Sequence, residues 1–392
     1  MKRALFCIAP LVASACVETK DPIVGTQSLK IELKSPTGDA MNPLTDYTVM
    51  VDVSALDADG EIDTSYNNQV QVYVNFLGTL TPYFGGPPLA KIQMTAGKAS
   101  SQSITLPPVF GPATLWFDDG TSENPTYASG ASPTLWYRDP FIDDIQRPTN
   151  EMALDALSKS PLETKQVTVN ASRHGANGRL VVTSVFAQGY TVSDVLCGPG
   201  GAPPCTVAPN PAIGGETGYD HKMVFSFSAP FDERGRAVQE GEVISGFAGG
   251  VSEFNGLTEI GFPQTFVEGE VDVDPARIPA PAVMDASWFA SKYMFERNEA
   301  APIAILGGKV CDLDQDYATY KQWKLDPAGV GGNCTGNRNV INVISTGVIA
   351  TDPMTLVGKT LPRVVGVLRP VNIGSFNVWI IYPRNAADLQ LQ

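Results

Sequence analysis

The chain has 392 residues, of which 37 are glycine, 31 are proline, 17% are charged and 43% are hydrophobic. This apolar content excludes a disordered chain, and the length favours two or three domains rich in strands and turns. The net charge of −14 disfavours nucleic acid as a partner, because contacts to phosphate need lysine and arginine.

Residues 1–16 have the composition of an export signal. Lys2 and Arg3 give a basic start, a short apolar run follows, and small residues precede Cys16. The apolar run is too short to span a bilayer as a helix, which needs about 20 residues. We therefore expect this segment to be absent from the folded protein.

The end of the signal, Ala13-Ser14-Ala15-Cys16, resembles the lipobox of bacterial lipoproteins. The resemblance implies cleavage before Cys16 and a lipid on its thiol, with simple secretion as the alternative. By the same resemblance, Val17-Glu18 favours the outer membrane or cell surface. Residues 17–27 are short and polar, and are predicted to form a tether between the lipid and the first domain.

Four cysteines remain after the signal, and they are Cys197, Cys205, Cys311 and Cys334. An even number in an oxidising compartment predicts disulfides. Of the three connectivities, the local one pairs Cys197 with Cys205 and Cys311 with Cys334, and each bridge contributes about 2–4 kcal/mol. Zinc is disfavoured because the chain has no C-x-x-C spacing and only two histidines.

Seven short alternating runs occupy residues 28–139, at 29–33, 47–53, 70–74, 90–94, 103–106, 113–117 and 134–137. This spacing is typical of an antiparallel β-sandwich. The stretches ALDADGEIDTSYNNQVQVYV (55–74) and GKASSQSITLP (97–107) resemble the bacterial Ig-like domains of adhesins and surface proteins. We therefore predict an Ig-like β-sandwich.

Residues 140–164 are predicted to link this sandwich to a second domain. Prolines lie near both ends of 139–148, and one short helix is predicted over Asn150–Lys159. The second domain, 165–392, again consists of strand-like runs, at 165–169, 178–186, 189–194, 223–227, 302–306, 340–345, 361–368 and 376–382. A glycine-rich strand pair, 241–260, lies among them, with Asn255-Gly256 as its turn signal.

Three stretches of the second domain carry a further resemblance: RLVVTSVFAQGYTVSD (179–194), KMVFSFSAP (222–230) and EGEVISGFAGGVSEFNGLTEI (240–260). They resemble the OB-fold-type module that precedes the catalytic domain in secreted bacterial endonucleases, with 253–259 as the signature. VVGVLRPVNIGSFNVWIIYPRNAADL (364–389) resembles the last hairpin of that family's second barrel half. The resemblance implies an all-β protein with two OB-like barrel halves and few short helices, but no nuclease activity.

The sequence offers no recognisable catalytic constellation. It has no G-x-S-x-G motif, and its two histidines, His174 and His221, are far apart in sequence. His221 next to Asp220 is the best acid–base candidate, although a solvated loop histidine is the expectation. Several strand aromatics could form a platform for bases or sugars, but alternating aromatics more often belong to a core. They are Tyr190, Phe225, Phe227, Phe254, Trp323 and Trp379.

Calcium is the one cofactor that the sequence suggests. Asp312, Asp314 and Asp316 form the D-x-D-x-D start of a calcium loop. However, Tyr317 stands where such a loop needs glycine, and Trp323 stands where it needs a bidentate glutamate. An acidic surface turn is the alternative.

Three functional hypotheses follow. The first is a non-enzymatic, lipid-anchored envelope protein with a binding or assembly role, whose partners are the membrane, through the lipid, and a protein of the envelope. The second is a nucleic-acid- or glycan-binding module that uses a barrel face. The third is a hydrolase with an unrecognised carboxylate or metal site, which the 41 acidic residues leave open.

Overall fold

The computed structural model describes residues 25–36, 47–79, 87–120, 128–149, 159–291, 293–373 and 376–391. These residues form 23 β-strands and three short α-helices, which confirms the all-β prediction. The predicted signal, Cys16 and all but one residue of the helix predicted over Asn150–Lys159 lie outside them.

The N-terminal region is a β-sandwich. The strands of this region are β1 (Ser28–Ser35), β2 (Thr48–Leu56), β3 (Gln69–Phe76), β4 (Gly78–Thr79), β5 (Ala90–Gln93), β6 (Lys98–Thr105), β7 (Pro112–Asp118), β8 (Ser129–Ala131) and β9 (Leu135–Trp136), and all but β4 belong to the sandwich. One sheet has the order β1-β2-β6, and the other has the order β5-β3-β7-β8 with β9 beside β7. Val49, Val51 and Val53 of β2 are buried between the sheets at alternate positions. The sandwich is as predicted, and its Ig-like identity stays a prediction.

The first barrel follows the sandwich. Its strands are β10 (Lys165–Val169), β11 (Gly178–Phe186), β12 (Gly189–Leu196), β13 (His221–Phe225), β14 (Val243–Ile244), β15 (Gly246–Phe254) and β16 (Leu257–Phe266). Strands β11, β12, β13, β16 and β15 pair in that order. Only Ser245 separates β15 from β14, which pairs with β11 and closes the ring. β13 and β16 are parallel, and every other pair in the ring is antiparallel.

The second barrel repeats this arrangement. Its strands are β17 (Ala282–Met284), β18 (Pro302–Val310), β19 (Trp323–Asp326), β20 (Ile341–Val343), β21 (Thr360–Ile373), β22 (Phe376–Tyr382) and β23 (Leu389–Gln390). The ring runs β18-β19-β20-β22-β21 and back to β18, with β20 and β22 parallel. Counted within each ring, both barrels have the strand order 1-2-3-5-4-1 with strands 3 and 5 parallel. The two predicted OB-like halves are thus present as two closed five-stranded barrels.

The glycine-rich segment 241–260 contains the predicted strand pair. β15 continues through Gly249-Gly250, and the paired strand β16 has a β-bulge opposite Gly249. A Cβ added at Gly249 would lie 2.5 Å from the Ile260 side chain, so the close approach of β15 and β16 requires glycine there. The hairpin turn is at Asn255-Gly256, whose φ angles of 53° and 83° explain why this dipeptide signals a turn.

Part of the predicted linker belongs to the core of the first barrel. Helix α1 (Ile142–Gln146) places Ile142 and Ile145, both fully buried, against the barrel interior. β4, which lies between β3 and β5 in the sequence, pairs with β10 and so belongs to the sheet of the first barrel and to neither sheet of the sandwich. The remaining helices are α2 (Met294–Arg297), between the barrels, and α3 (Gln315–Tyr320), in the second barrel. Composition suggested a linker because prolines flank the segment, but its isoleucines point inward.

Candidate functional site

Both disulfides have the predicted local pairing. Cys197 is bonded to Cys205 and Cys311 to Cys334, with Cα–Cα distances of 4.1 and 5.8 Å. All four residues are buried. The bridges brace loops, and no cysteine in the described part of the chain is left as a free thiol.

The acidic run proposed as a calcium site is occupied by ion pairs. The Lys324 ammonium bonds to Asp314 and lies 2.7 Å from Asp316 Oδ2. Asp314 also caps α3 by accepting the Asp316 N–H at 3.1 Å. Across the described ranges, no three Asp, Glu, His or Cys side chains are grouped closely enough to hold a metal ion. Asp312, Asp314 and Asp316 therefore receive no support from the geometry as calcium ligands.

A buried lysine joins three parts of the chain at the first barrel. Lys222 of β13 is fully buried, and its ammonium donates to Gln146 Oε1 at 2.8 Å and to the Thr258 carbonyl at 2.7 Å. The Glu299 carboxylate accepts the Gln146 amide at 2.5 Å and the Thr258 N–H at 3.0 Å. Gln146 belongs to α1, Thr258 to β16, and Glu299 lies just beyond α2. We call Lys222, Gln146, Thr258 and Glu299 the lysine network.

Several buried acidic residues surround the lysine network, and burial shifts the pKa of each so that its uncharged form is favoured. Burial lowers the pKa of Lys222 to about 8 and raises the pKa of Glu299 to about 7. It raises the pKa of Glu296 well above its ordinary value, and neither carboxyl oxygen of Glu296 has a hydrogen-bond partner. Burial also raises the pKa of Glu253 and of Glu259. Since Lys222, Glu296 and Glu299 are sealed from solvent, the network stabilises the fold and offers no access to a substrate.

A second buried network holds the connection between β10 and β11. Arg173 Nε lies 2.6 Å from Asp220 Oδ1, and its guanidinium also donates to the Ala208 carbonyl at 2.8 Å. Asp194 accepts the Ser172 hydroxyl and, at 2.8 Å, the Arg173 N–H. Burial raises the pKa of Asp194 to about 7 and that of Asp220 to about 6. We call Ser172, Arg173, Asp194 and Asp220 the loop clamp. Because the Ser172 hydroxyl donates directly to a carboxylate, the loop clamp lacks the serine–histidine contact of a nucleophilic site.

Neither histidine acts as an exposed acid or base, and the expectation of a solvated loop is wrong for His221. His221 lies on β13 with 3% exposure, and its Nδ1 is 2.6 Å from Ser193 Oγ. Burial lowers the pKa of His221 to about 3 and that of His174 to about 4. Asp220 pairs with Arg173, so Asp220 and His221 do not form an acid–base pair.

An open groove of about 720 Å³ runs along the first barrel beside the β10–β11 connection. Arg179 lines one part of the groove, and Glu268, Glu270 and Asp272 line another. Asp272 already pairs with Arg277 at 2.6 Å, and Arg179 donates to backbone carbonyls of its own loop. Asp272 and Arg179 are thus engaged within the protein, and the acidic residues of the groove oppose an anionic ligand.

The outer face of β11, β12 and β13 is mostly buried, and the second barrel covers part of it. Thr183 and Thr191 lie on this face fully buried, with their hydroxyls 3.0 Å apart. Arg384, after β22, donates to the Thr183 carbonyl at 3.4 Å, and Met223 packs against Ala300, just before β18. OB-type barrels bind oligonucleotides and oligosaccharides on the face of strands 2 and 3. Here the larger part of that face is closed.

The exposed remainder of this face is aromatic. Phe225 ends β13, Phe227 follows it, and Phe262 projects from β16. The ring centroids of Phe225 and Phe227 are 4.7 Å apart, and those of Phe227 and Phe262 are 5.0 Å apart. Phe227 is 56% exposed and Phe262 is 82% exposed. We call these three residues the aromatic surface.

The backbone holds two of these rings outward at an energetic cost. Phe227 and Phe262 have φ angles of 59° and 51°, in the left-handed region that favours glycine. In β16 a bulge sets Phe262 and Pro263 opposite Gly249 alone. A non-glycine residue in this region costs about 1–2 kcal/mol, and such residues concentrate at functional sites. Strain and exposure of large apolar rings coincide here, which marks the aromatic surface as the candidate site.

The six aromatic residues that the sequence suggested as a binding platform differ in their exposure to solvent. Tyr190 and Trp323 are buried, Phe225 and Trp379 are half-buried, and Phe227 and Phe254 are exposed. Phe262, the most exposed ring of the site, was missed. Its only signal is the Gly-Phe-Pro sequence inside a strand, since proline within a sheet is confined to edges and bulges.

Comparison with protein-family models, with curated proteins and with solved structures found no match to this chain. The resemblances to bacterial lipoproteins, Ig-like domains and the endonuclease module therefore stay predictions. In the part of the chain that the structure describes, no helix has the length and apolar composition needed to cross a membrane.

Replacing Lys222 by methionine should lower the free energy of unfolding by about 3–5 kcal/mol, because loss of one partner leaves buried charges and amides unpaired. Urea denaturation measures this change. Lys30→Met is the matched control, since the ion pair of Lys30 with Glu32 is exposed and its loss should change stability little. Equal effects of the two substitutions would contradict the structural role of the lysine network.

The two histidines should remain uncharged in mildly acidic solution. Their lowered pKa values, about 4 for His174 and about 3 for His221, mean that only the unfolded chain takes up protons as the pH falls below about 6.5. The stability they contribute is therefore present above pH 6.5 and is lost as the pH falls toward 4 and 3. With two histidines in the chain, imidazole NMR signals give each pKa directly, and a midpoint near 6.5 for either would refute this.

Proposed function

We propose that this chain is an exported, lipid-anchored protein of the bacterial cell envelope that binds a ligand and catalyses no reaction. Two features support export and lipid anchoring: the basic and apolar start of the chain, and the lipobox-like Ala13-Ser14-Ala15-Cys16. The aromatic surface supports the binding role. The two disulfides suit an oxidising compartment.

The observation that carries the proposal is the Phe227–Phe262 pair. Both rings are more than half exposed, and their centroids are 5.0 Å apart. Phe262 lies in β16, and Phe227 follows two residues after β13, which pairs with β16. A rigid aromatic pair loses little conformational freedom when a ligand covers it, so most of the apolar contact contributes to affinity. Without a ligand, the two rings leave apolar surface exposed to water, which is unfavourable and marks interaction sites.

The buried ionisable groups favour this role over a hydrolase. The Ser172 hydroxyl and the carboxylates of Asp194 and Asp220 are engaged in the loop clamp, and Lys222 and Glu299 are sealed in the lysine network. The alternative of nucleic-acid binding conflicts with the net charge of −14 and with the acidic groove beside the β10–β11 connection.

Changing Cys16 to alanine should release the protein from membranes, because the lipid is attached to the thiol of that residue. Cell fractionation with and without detergent measures the change, and incorporation of labelled palmitate reports the lipid itself. Cys7→Ala is the control, since Cys7 lies within the removed signal and its loss should leave both readouts unchanged. Membrane retention of the Cys16→Ala protein would rule out this anchor.

Binding to the envelope should depend on the aromatic surface once the lipid is absent. In the Cys16→Ala protein, we expect Phe227→Ala with Phe262→Ala to weaken cosedimentation with isolated envelope fragments by about 10-fold or more, since each lost stacking contact is worth about 1–3 kcal/mol. Phe231→Ala is the matched control, because Phe231 is 54% exposed but is not part of the aromatic surface. The unfolding midpoint of the double variant should be retained. Unchanged cosedimentation of a folded double variant would overturn the binding role.

A further inference from the structure

The strand segments that carry the aromatic surface contain no charged residue. Three segments meet there, 185–193, 223–228 and 260–267, and none of them contains an aspartate, glutamate, lysine, arginine or histidine. This stands out in a chain whose net charge is −14. Two acidic residues bond to the far ends of these segments, Glu240 to the Val185 N–H and Glu233 to the Val267 N–H. A charged ligand, whether phosphate, carboxylate or amine, would find no opposite charge on these segments.

Neutral hydrogen-bonding groups surround the rings instead. The exposed Gln188 side chain donates to the Phe227 carbonyl at 3.3 Å, and the Ser226 N–H donates to the Gln188 carbonyl at 3.0 Å. Ser228 and Gln264 are also exposed, one residue beyond Phe227 and two beyond Phe262. The site thus combines apolar ring faces with amide and hydroxyl groups at their margin.

The size of the aromatic surface favours a small repeating unit over a protein. Phe227 and Phe262, at 56% and 82% exposure, together present on the order of 300 Å² of ring surface. A stable protein interface buries about 800 Å² on each partner. Two adjacent rings suffice to cover one or two ring-shaped units of a ligand.

We propose that the aromatic surface binds an uncharged polysaccharide. A sugar ring has an apolar C–H face, which would stack on Phe227 or Phe262, and hydroxyl groups at its edge, which would bond to Gln188 and Gln264. A nucleobase could stack in the same way, but its phosphates would meet an uncharged site in an acidic protein. This inference rests on the binding role proposed above and specifies its ligand class.

Affinity electrophoresis tests the proposal with the full-length Cys16→Ala protein. Native gels would contain hydroxyethyl cellulose, laminarin or xyloglucan as neutral polymers, and polygalacturonate as the anionic one. We expect retardation by at least one neutral polymer, insensitive to salt because no ion pairs form. Phe227→Ala with Phe262→Ala should raise the dissociation constant by about 10-fold or more, whereas Phe231→Ala should leave it unchanged.

Several results would overturn the inference: no retardation by any neutral polymer, retardation by polygalacturonate alone, or equal retardation of the double variant. A further contrary result would be self-association in sedimentation velocity that the double variant abolishes, since a second copy would then cover the rings. If envelope cosedimentation still depends on the two phenylalanines while the gels are negative, the polysaccharide is wrong but the binding role stands. If cosedimentation is also independent of the two phenylalanines, both the polysaccharide ligand and the binding role are wrong.

Discussion

The arrangement of the domains depends on the hydrogen bonds that the buried ammonium group of Lys222 makes. A buried charge costs several kcal/mol of lost hydration, which only near neighbours can offset. Those neighbours come from three places: Gln146 from the helix after the sandwich, Thr258 from the first barrel and Glu299 from the segment before the second barrel. Each apolar core could form around its own strands, but the lysine network is satisfied only when all three segments are in place.

This constraint also determines which surface stays open. Because Glu299 is fixed by Thr258 and Gln146, the next residue, Ala300, is held against Met223 on the outer face of the first barrel. The second barrel starts from that point and covers part of the face. Phe225 lies two residues beyond Met223 along β13, where the cover ends. The aromatic surface is therefore the accessible margin of a face that is otherwise used to join the two barrels.

The sequence predicts the regular parts of this structure well because their signals are local. Alternation in β2, the Asn255-Gly256 turn and the short cysteine spacings each reflect residues that interact with near neighbours. The features it did not reveal depend on distant residues. Lys222 reads as an ordinary strand lysine until Glu299, far along the chain, is placed beside it. The outward turn of Phe262 likewise depends on a bulge opposite Gly249, which only the paired strand makes visible.

The two barrels share one strand order but treat the corresponding position differently. In the first barrel, two residues after the third strand of the ring, Phe227 is exposed. In the second, the residue two positions after β20 is Ser345, which is buried and accepts the indole N–H of Trp323 at 3.1 Å. In the second barrel this position is buried by a hydrogen bond between a hydroxyl and an indole. In the first barrel it is occupied by an exposed phenylalanine with a strained backbone. Since topology is common to both, the side chains at this position alone leave an aromatic ring exposed in the first barrel and close the same position in the second.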